Sequence, residues 1–209
     1  MGKFITIEGP EGSGKTTVAK SIVTRLEKEG YKVLYTREPG GVKIAEKIRD
    51  IILDVENTNL DPRCEALLYA ASRRQHLVEK VLPALEKGYV VICDRFVDSS
   101  LAYQGFARNI GIDEIYSINT FAIDTHWPDL TILLDIDPEV GLERIMSNRQ
   151  NEVNRLDLEG LAFHNKVHEG YQIIKEKYHD RFTLVDGNQD QETVFNQVYA
   201  IIKKTIDEN

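Results

Sequence analysis

Residues 5 to 17 read ITIEGPEGSGKTT, and within them Gly9 to Thr16 match G-x-x-x-x-G-K-[ST]. This pattern restricts a fold strongly, because it works only as a loop between a buried strand and the start of a helix. Both flanks are present. The run 3–8 (KFITIE) is β-rich, and Val18, Ala19, Ile22, Val23 and Leu26 repeat at helical spacing until Gly30 stops the pattern. Gly9, Pro10, Glu11, Gly12, Ser13 and Gly14, with Lys15, Thr16 and Thr17 at the helix start, are therefore expected to hold a triphosphate such as ATP. Backbone N–H groups cradle the β-phosphate, Lys15 balances β/γ charge and the Thr16 hydroxyl ligates Mg²⁺.

Four further β-rich runs follow: YKVLYT (31–36), YVVICD (89–94), LTILLDI (130–136) and FTLVDG (182–187). The middle ones are nearly continuous in Val, Ile and Leu, as strands covered on both faces are. The expected fold is α/β, a doubly wound sheet of five parallel strands with flanking helices, in a single domain spanning residues 1–209. Residues from about 39 to 88 carry two helical patterns between strands two and three, and Pro83 should kink or split the second. The polar stretch 147–157 (SNRQNEVNRLD) interrupts two helical segments and reads as a small lid.

A formal charge of −8 argues against a broad nucleic-acid or anionic-membrane surface, so an anionic ligand must meet locally gathered Arg and Lys. No apolar run approaches the length of a membrane span, and the start of the chain has no secretory h-region. The bare myristoylation pattern at Gly2 is weak, and these residues serve better as the first strand. Cys64 and Cys93 lack metal-ligand spacing, which suits a reducing cytoplasm. His164 and His168 lie four apart, but without the Glu of H-E-x-x-H or a third ligand they are expected on a helix surface. Asp94 and Arg95 end the third run, at the sheet edge where open α/β proteins bind ligands. Asp94 can organise Mg²⁺, and Arg95 can clamp a phosphoryl group bidentately.

Several separated motifs, in one order, resemble the thymidylate kinase family of nucleoside monophosphate kinases: FITIEGPEGSGKTT, TREPGG, YAASRRQHL, CDRFVDSSLAYQG, WPDLTILLDI and NRLD. The resemblance implies transfer of the ATP γ-phosphoryl group to dTMP, with Mg²⁺, in a homodimer, and an acceptor-binding region of about 37–75. It implies that Glu11 accepts from the sugar 3′-hydroxyl. A carboxylate about 8 Å from a phosphate costs about 2 kcal/mol per unit charge at an effective dielectric near 20, so it must be used or offset. It also implies that Arg37, Arg49 and Arg95 meet the monophosphate and Tyr69 stacks on thymine. Ser72 and Arg73 approach its polar edge, Arg73 donating to O4; Ser100 and Gln104 hydrogen-bond the base, and Tyr103 excludes a ribose 2′-hydroxyl. Phe96 stands where relatives often carry an aromatic residue; Tyr or His there could hydrogen-bond and Phe cannot, which counts against a polar role at this position. Because Gly12 occupies a place where some members carry an Arg, the missing cation is expected from the lid, as Arg149 first and Arg155 second. The stretch DGNQ (186–189) lies where relatives contact adenine.

Two rivals stay open at this point. A kinase of another monophosphate or deoxynucleoside would differ in its acceptor, and a nucleotide-dependent switch would ignore acceptors altogether. Arg37, Arg95 and Arg149 together argue for two phosphate chains and against the switch.

Overall fold

The computed structural model describes residues 2–147 and 155–208. β1 (Lys3–Glu8) runs into the phosphate loop and α1 (Lys15–Lys28), and β2 (Val33–Arg37) is followed by α2 (Lys43–Leu53) and α3 (Pro62–His76). A π-helical turn over Leu77–Val81 and the short α4 (Leu82–Glu86) lead to β3 (Val90–Asp94). Then come α5 (Val97–Ser100), a π-helical stretch over Leu101–Ala107, α6 (Ile112–Ile123), β4 (Leu130–Asp135) and α7 (Pro138–Ser147). A 3-10 turn over Arg155–Leu158, α8 (Leu161–Lys177), β5 (Phe182–Asp186) and α9 (Gln191–Asp207) complete the order.

All pairings are parallel, in the order β2-β3-β1-β4-β5. The chain steps outward from β1 to β2, returns through β3, and crosses to β4 on the other side of β1, so the carboxyl ends of β1 and β3 flank the switch point where a ligand cleft forms. Alternation along the strands makes two cores. Phe4, Val91, Cys93 and Leu133 face α3, α6 and α8, while Ile5, Ile7, Ile92 and Ile132 face α1 and α9. Burial of about 25 cal/mol per Å² of apolar surface on both faces holds the sheet flat against its helices.

Strands two and three begin later than the β-rich runs suggest. The N–H of Tyr31 is taken by the Leu26 carbonyl and that of Tyr89 by Ala84, after Gly30 and Gly88 at φ 88° and 78° close the preceding helices. Helix termination therefore outcompetes the sheet for those two tyrosines. Pro83 does divide its helical pattern: it sits in the first turn of α4, where its missing N–H is tolerated, directly after the π-helical turn. Asp61 starts α3 by accepting from Arg63 N and Cys64 N, with Pro62 in the first turn.

One expectation is corrected. His164 is buried at 2% exposure rather than on a helix surface, because it shares the inward face of α8 with Val167, Gly170, Tyr171 and Ile174. Gly170 lets that face press onto the backbone of Ala102. His168, two-thirds buried, bonds Asp135 at 2.8 Å.

Candidate functional site

The phosphate loop leaves β1 with Gly9 at φ 148° and enters α1 from Gly14 at φ 85°. A Cβ on Gly9 would press into the Leu134 carbonyl, and one on Gly12, at φ 73°, would collide with the Gly141 backbone of α7. Position 12 has no room for an Arg, which is the physical reason the loop carries no cation there. Lys15 is buried and bonds Pro10 O at 2.7 Å and Ser13 Oγ at 3.1 Å, holding the loop open around its own ammonium. Burial pushes that ammonium down to about 8, with Arg95 adding to the effect. The Thr16 hydroxyl donates to Asp94 Oδ2 at 2.5 Å, so the two expected Mg²⁺ ligands, a hydroxyl and a carboxylate, stand side by side. Such hard oxygen donors beside a phosphate cradle fit Mg²⁺.

Arg95 is the hub between the two parts of the cleft. It is a non-glycine residue at φ 69°, a backbone conformation that costs energy and is held by its N–H on Ile7 O. Its Nη2 bonds Glu11 Oε1 at 2.7 Å, and its Nη1 reaches Gly9 O and Ser99 Oγ at 3.1 Å and Tyr171 OH at 3.4 Å. Glu11 also accepts from Tyr103 OH at 3.1 Å. Burial alone would raise the Glu11 carboxyl, but Arg95 first and Lys15 next hold it at about 2. Behind Arg95 lies Glu8, a fully buried carboxylate. It accepts from Phe96 N at 2.6 Å, Ser99 Oγ at 2.6 Å and Tyr171 OH at 3.0 Å, so the two hydroxyls turn their lone pairs toward Arg95. Burial, and then Asp98, raise the Glu8 carboxyl.

Two compartments meet at this hub. The outer one, about 720 Å³, has the loop Glu11–Val18 as its floor, with Arg37, Asp94, Arg144 and the 187–191 segment on its walls. The inner one, about 150 Å³, is lined by Tyr69, Arg73, Phe96, Ser100, Tyr103 and Gln104 among others. Glu11, Glu38, Arg49 and Arg95 border both. Arg37 and Arg49 both donate to Pro39 O, at 2.8 and 3.0 Å, and Arg37 also pairs with Glu46. Burial and the neighbouring Arg37 push the Arg49 guanidinium down. A cation so placed gains from an incoming anion.

Arg73 is 2% exposed and almost fully committed. Nε bonds Glu38 Oε2 at 2.7 Å, Nη1 bonds Ser100 Oγ and Asn119 Oδ1, and Nη2 bonds Phe96 O at 2.9 Å, which leaves one Nη2 hydrogen for the cavity. Glu38, which precedes Pro39 in a cis peptide bond, accepts from Arg73 on one oxygen. It meets His76 Nδ1 at 2.8 Å on the other, and His76 Nε2 meets Thr36 at 2.7 Å. Ser72 is placed differently from expectation. Its hydroxyl accepts from Gly40 N at 3.2 Å and lies 3.4 Å from Ala45 O, so it shapes the loop after β2 and does not line the inner cavity. Arg155 bonds Ile52 O at 3.0 Å and the buried Glu65, on the inner cavity's side, away from the phosphate loop. Arg149 and most of the expected lid lie outside the described residues.

Sequence reasoning missed Glu8, Glu38, Glu65, His76, Asn119 and Arg144. Arg144 bonds Gly187 O at 3.1 Å on the wall of the outer compartment, while Asp190 is occupied in capping α9 through Thr193 N. Glu8, Glu38 and His76 stood inside quoted motifs without being singled out; Glu65, Asn119 and Arg144 lie outside them and become visible when distant segments pack.

A family model described as thymidylate kinase matches residues 7–198. Over nearly the whole of both chains, this one is 59% identical to the thymidylate kinase of Clostridium novyi (strain NT), covering 97% of this chain and 98% of that protein. It is 56% identical to the thymidylate kinase of Geobacillus sp. (strain WCH70), over 99% and 98%, and 55% identical to that of Bacillus licheniformis, over 100% and 98%.

Proposed function

The chain belongs to the thymidylate kinase family, and on that footing we infer that it transfers the γ-phosphoryl group of ATP to dTMP, giving dTDP for dTTP synthesis. The observation that carries the reading is the shared border. Glu11, Arg49 and Arg95 line both the phosphate-loop compartment and the cavity that fits a base, so donor and acceptor phosphates meet at these side chains. The attacking oxygen of a monophosphate is already anionic and needs no general base, so catalysis rests on positioning and charge neutralisation.

Lys15 and the backbone of residues 9–17 bind the ATP phosphates; Arg37, Arg49 and Arg95 hold the dTMP phosphate in line. Glu11, ionised because of Arg95 and Lys15, accepts from the 3′-hydroxyl while Arg95 turns toward phosphate. Tyr69, Arg73, Ser100 and Gln104 meet the base and Tyr103 the sugar. Thr16 and Asp94 would hold Mg²⁺, which when bound neutralises charge shared by the β- and γ-phosphates. Arg149 is the lid's cation in this reading, since Arg155 is engaged with Glu65 and Ile52.

The unit acts as one domain with a lid at about 147–157, in the cytoplasm, where Cys64 and Cys93 stay as free thiols. It pairs as a homodimer through the surface that exposes Leu67 on α3 and Phe121 on α6, at 57% and 91%. No helix among the described residues is long and apolar enough to cross a membrane.

The test is ADP release by the purified protein with Mg·ATP, offering dTMP, dUMP, dCMP, the ribose form of TMP and AMP separately. Rapid turnover with dTMP and weak turnover with dUMP are expected. Preference for another acceptor would sink the thymine pocket, and no dependence on any acceptor would favour a nucleotide switch.

A further inference from the structure

The inner cavity's recognition edge depends on a carboxylate that does not line it. Gln104, 1% exposed, donates from Nε2 to Glu65 Oε1 at 2.9 Å. A carboxylate only accepts, so this contact fixes which end of the amide faces α3: nitrogen toward Glu65, carbonyl oxygen away. Nothing among the described residues donates to Gln104 Oε1. Among the described residues the fully buried side-chain polar atom without a partner is His164 Nε2, and Gln104 Oε1 is not among such sealed atoms, which leaves it open on the cavity that Gln104 lines. Glu65 is itself held in place: Arg155 pairs with its Oε2, and Arg108 Nε stands 3.6 Å from its Oε1. Its own exposure is 1%.

The cavity thus has in its lining an acceptor, Gln104 Oε1, and a donor, the uncommitted Nη2 hydrogen of Arg73. A keto pyrimidine offers the complementary pair, N3–H and O4. Cytosine reverses both, with an acceptor at N3 and an amino donor at C4. Resting on the reading that the base occupies this cavity, we propose that Glu65 is a specificity-determining positioning residue. By locking the Gln104 amide with its oxygen toward the base, it excludes the amino pyrimidine without touching either. A neutral amide at position 65 could pair with Gln104 in either orientation, and the lock would be lost.

The test compares kcat/KM for dTMP and dCMP in the full chain, wild type against Glu65→Gln, Gln104→Ala and Glu65→Asp. With Glu65→Gln the dTMP-to-dCMP ratio should fall on the order of ten- to a hundredfold, through KM for both acceptors and with dCMP improved in absolute terms. A ratio within about twofold of wild type overturns the proposal, as does a uniform loss of both activities. If Glu65→Gln does not fold, Glu65→Asp keeps the charge on Arg155 and Arg108 while withdrawing the carboxylate from Gln104. It should lower the ratio by several-fold, and an unchanged ratio again overturns the idea. Gln104→Ala separates the two layers of the argument. A raised KM for dTMP supports the base's place in the cavity, whereas unchanged dTMP kinetics would remove that placement and the proposal with it.

Discussion

The compartment we assign to the donor takes its floor from one unbroken run, Glu11 to Val18, and offers backbone N–H groups and a helix start to a phosphate. The acceptor cavity gathers side chains from the loop after β2, from α2 and α3, from the stretch after β3 and from Leu156, and braces them with buried ion pairs such as Glu38–Arg73. The two halves therefore divide chemistry from framework differently. On the donor side a functional residue can be removed with little harm to the fold as a whole, because glycines and strand ends set the loop's path and Lys15 adds two local hydrogen bonds within it. On the acceptor side recognition and stability share the same side chains.

The sharpest test of that contrast is Lys15→Ala, which should lower turnover on the order of a thousandfold while the thermal midpoint holds or rises slightly, since a buried ammonium is lost with it. Turnover within tenfold of wild type would break the donor half of the comparison. Next comes Glu38→Gln on the acceptor side. Leaving Arg73 and His76 without their carboxylate should cost about 3 kcal/mol of stability, read by urea unfolding at unchanged slope. A loss below about 1 kcal/mol would show that the brace is ornamental.

Glu11→Gln probes the border itself. It should reduce dTMP turnover about ten- to thirtyfold and leave ATP affinity within about twofold; an equal loss of both would move Glu11 wholly to the donor side. The smallest effect is in pH. Lys15 has its folded pKa lowered to about 8 from 10.5, so it loses its charge as pH rises through about 8. ATP affinity, measured as the ligand-induced rise in Tm, should weaken there. Between about 8 and 10.5 the unfolded chain binds the extra proton, so this group alone makes the free protein more stable as pH rises through that window. A flat ATP affinity across the window would mean that Lys15 is not the loop's titrating cation.

The same contrast decides how much could be read in advance. The phosphate loop was legible because its residues are contiguous and its chemistry needs glycines at fixed spacing. Asp94 and Arg37 were legible because strand ends face the cleft. Glu8, Glu65 and Asn119 were not, since each is an ordinary residue of a strand or helix until partners 39 to 163 positions away arrive, as Gln104 does for Glu65 and Tyr171 for Glu8. Ser72 shows the limit of motif reading: its neighbour Arg73 does face the cavity, yet one step of about 100° around α3 turns Ser72 toward Gly40 instead. His164 looked like surface because two histidines four apart suggest a polar stripe, whereas the stripe that matters on α8 is the one led by Tyr171.

The back-to-back approach of Gly12 and Gly141 bears on how such enzymes diverge. A side chain at position 12 meets the backbone of residue 141, and one at 141 meets the Glu11 carbonyl. Placing a cation at position 12 is therefore not a one-step change: α7 has to retreat first, and a substitution at position 12 alone begins with a distorted phosphate loop. Two glycines in contact thus act as a ratchet, each holding the other position to a residue without a side chain.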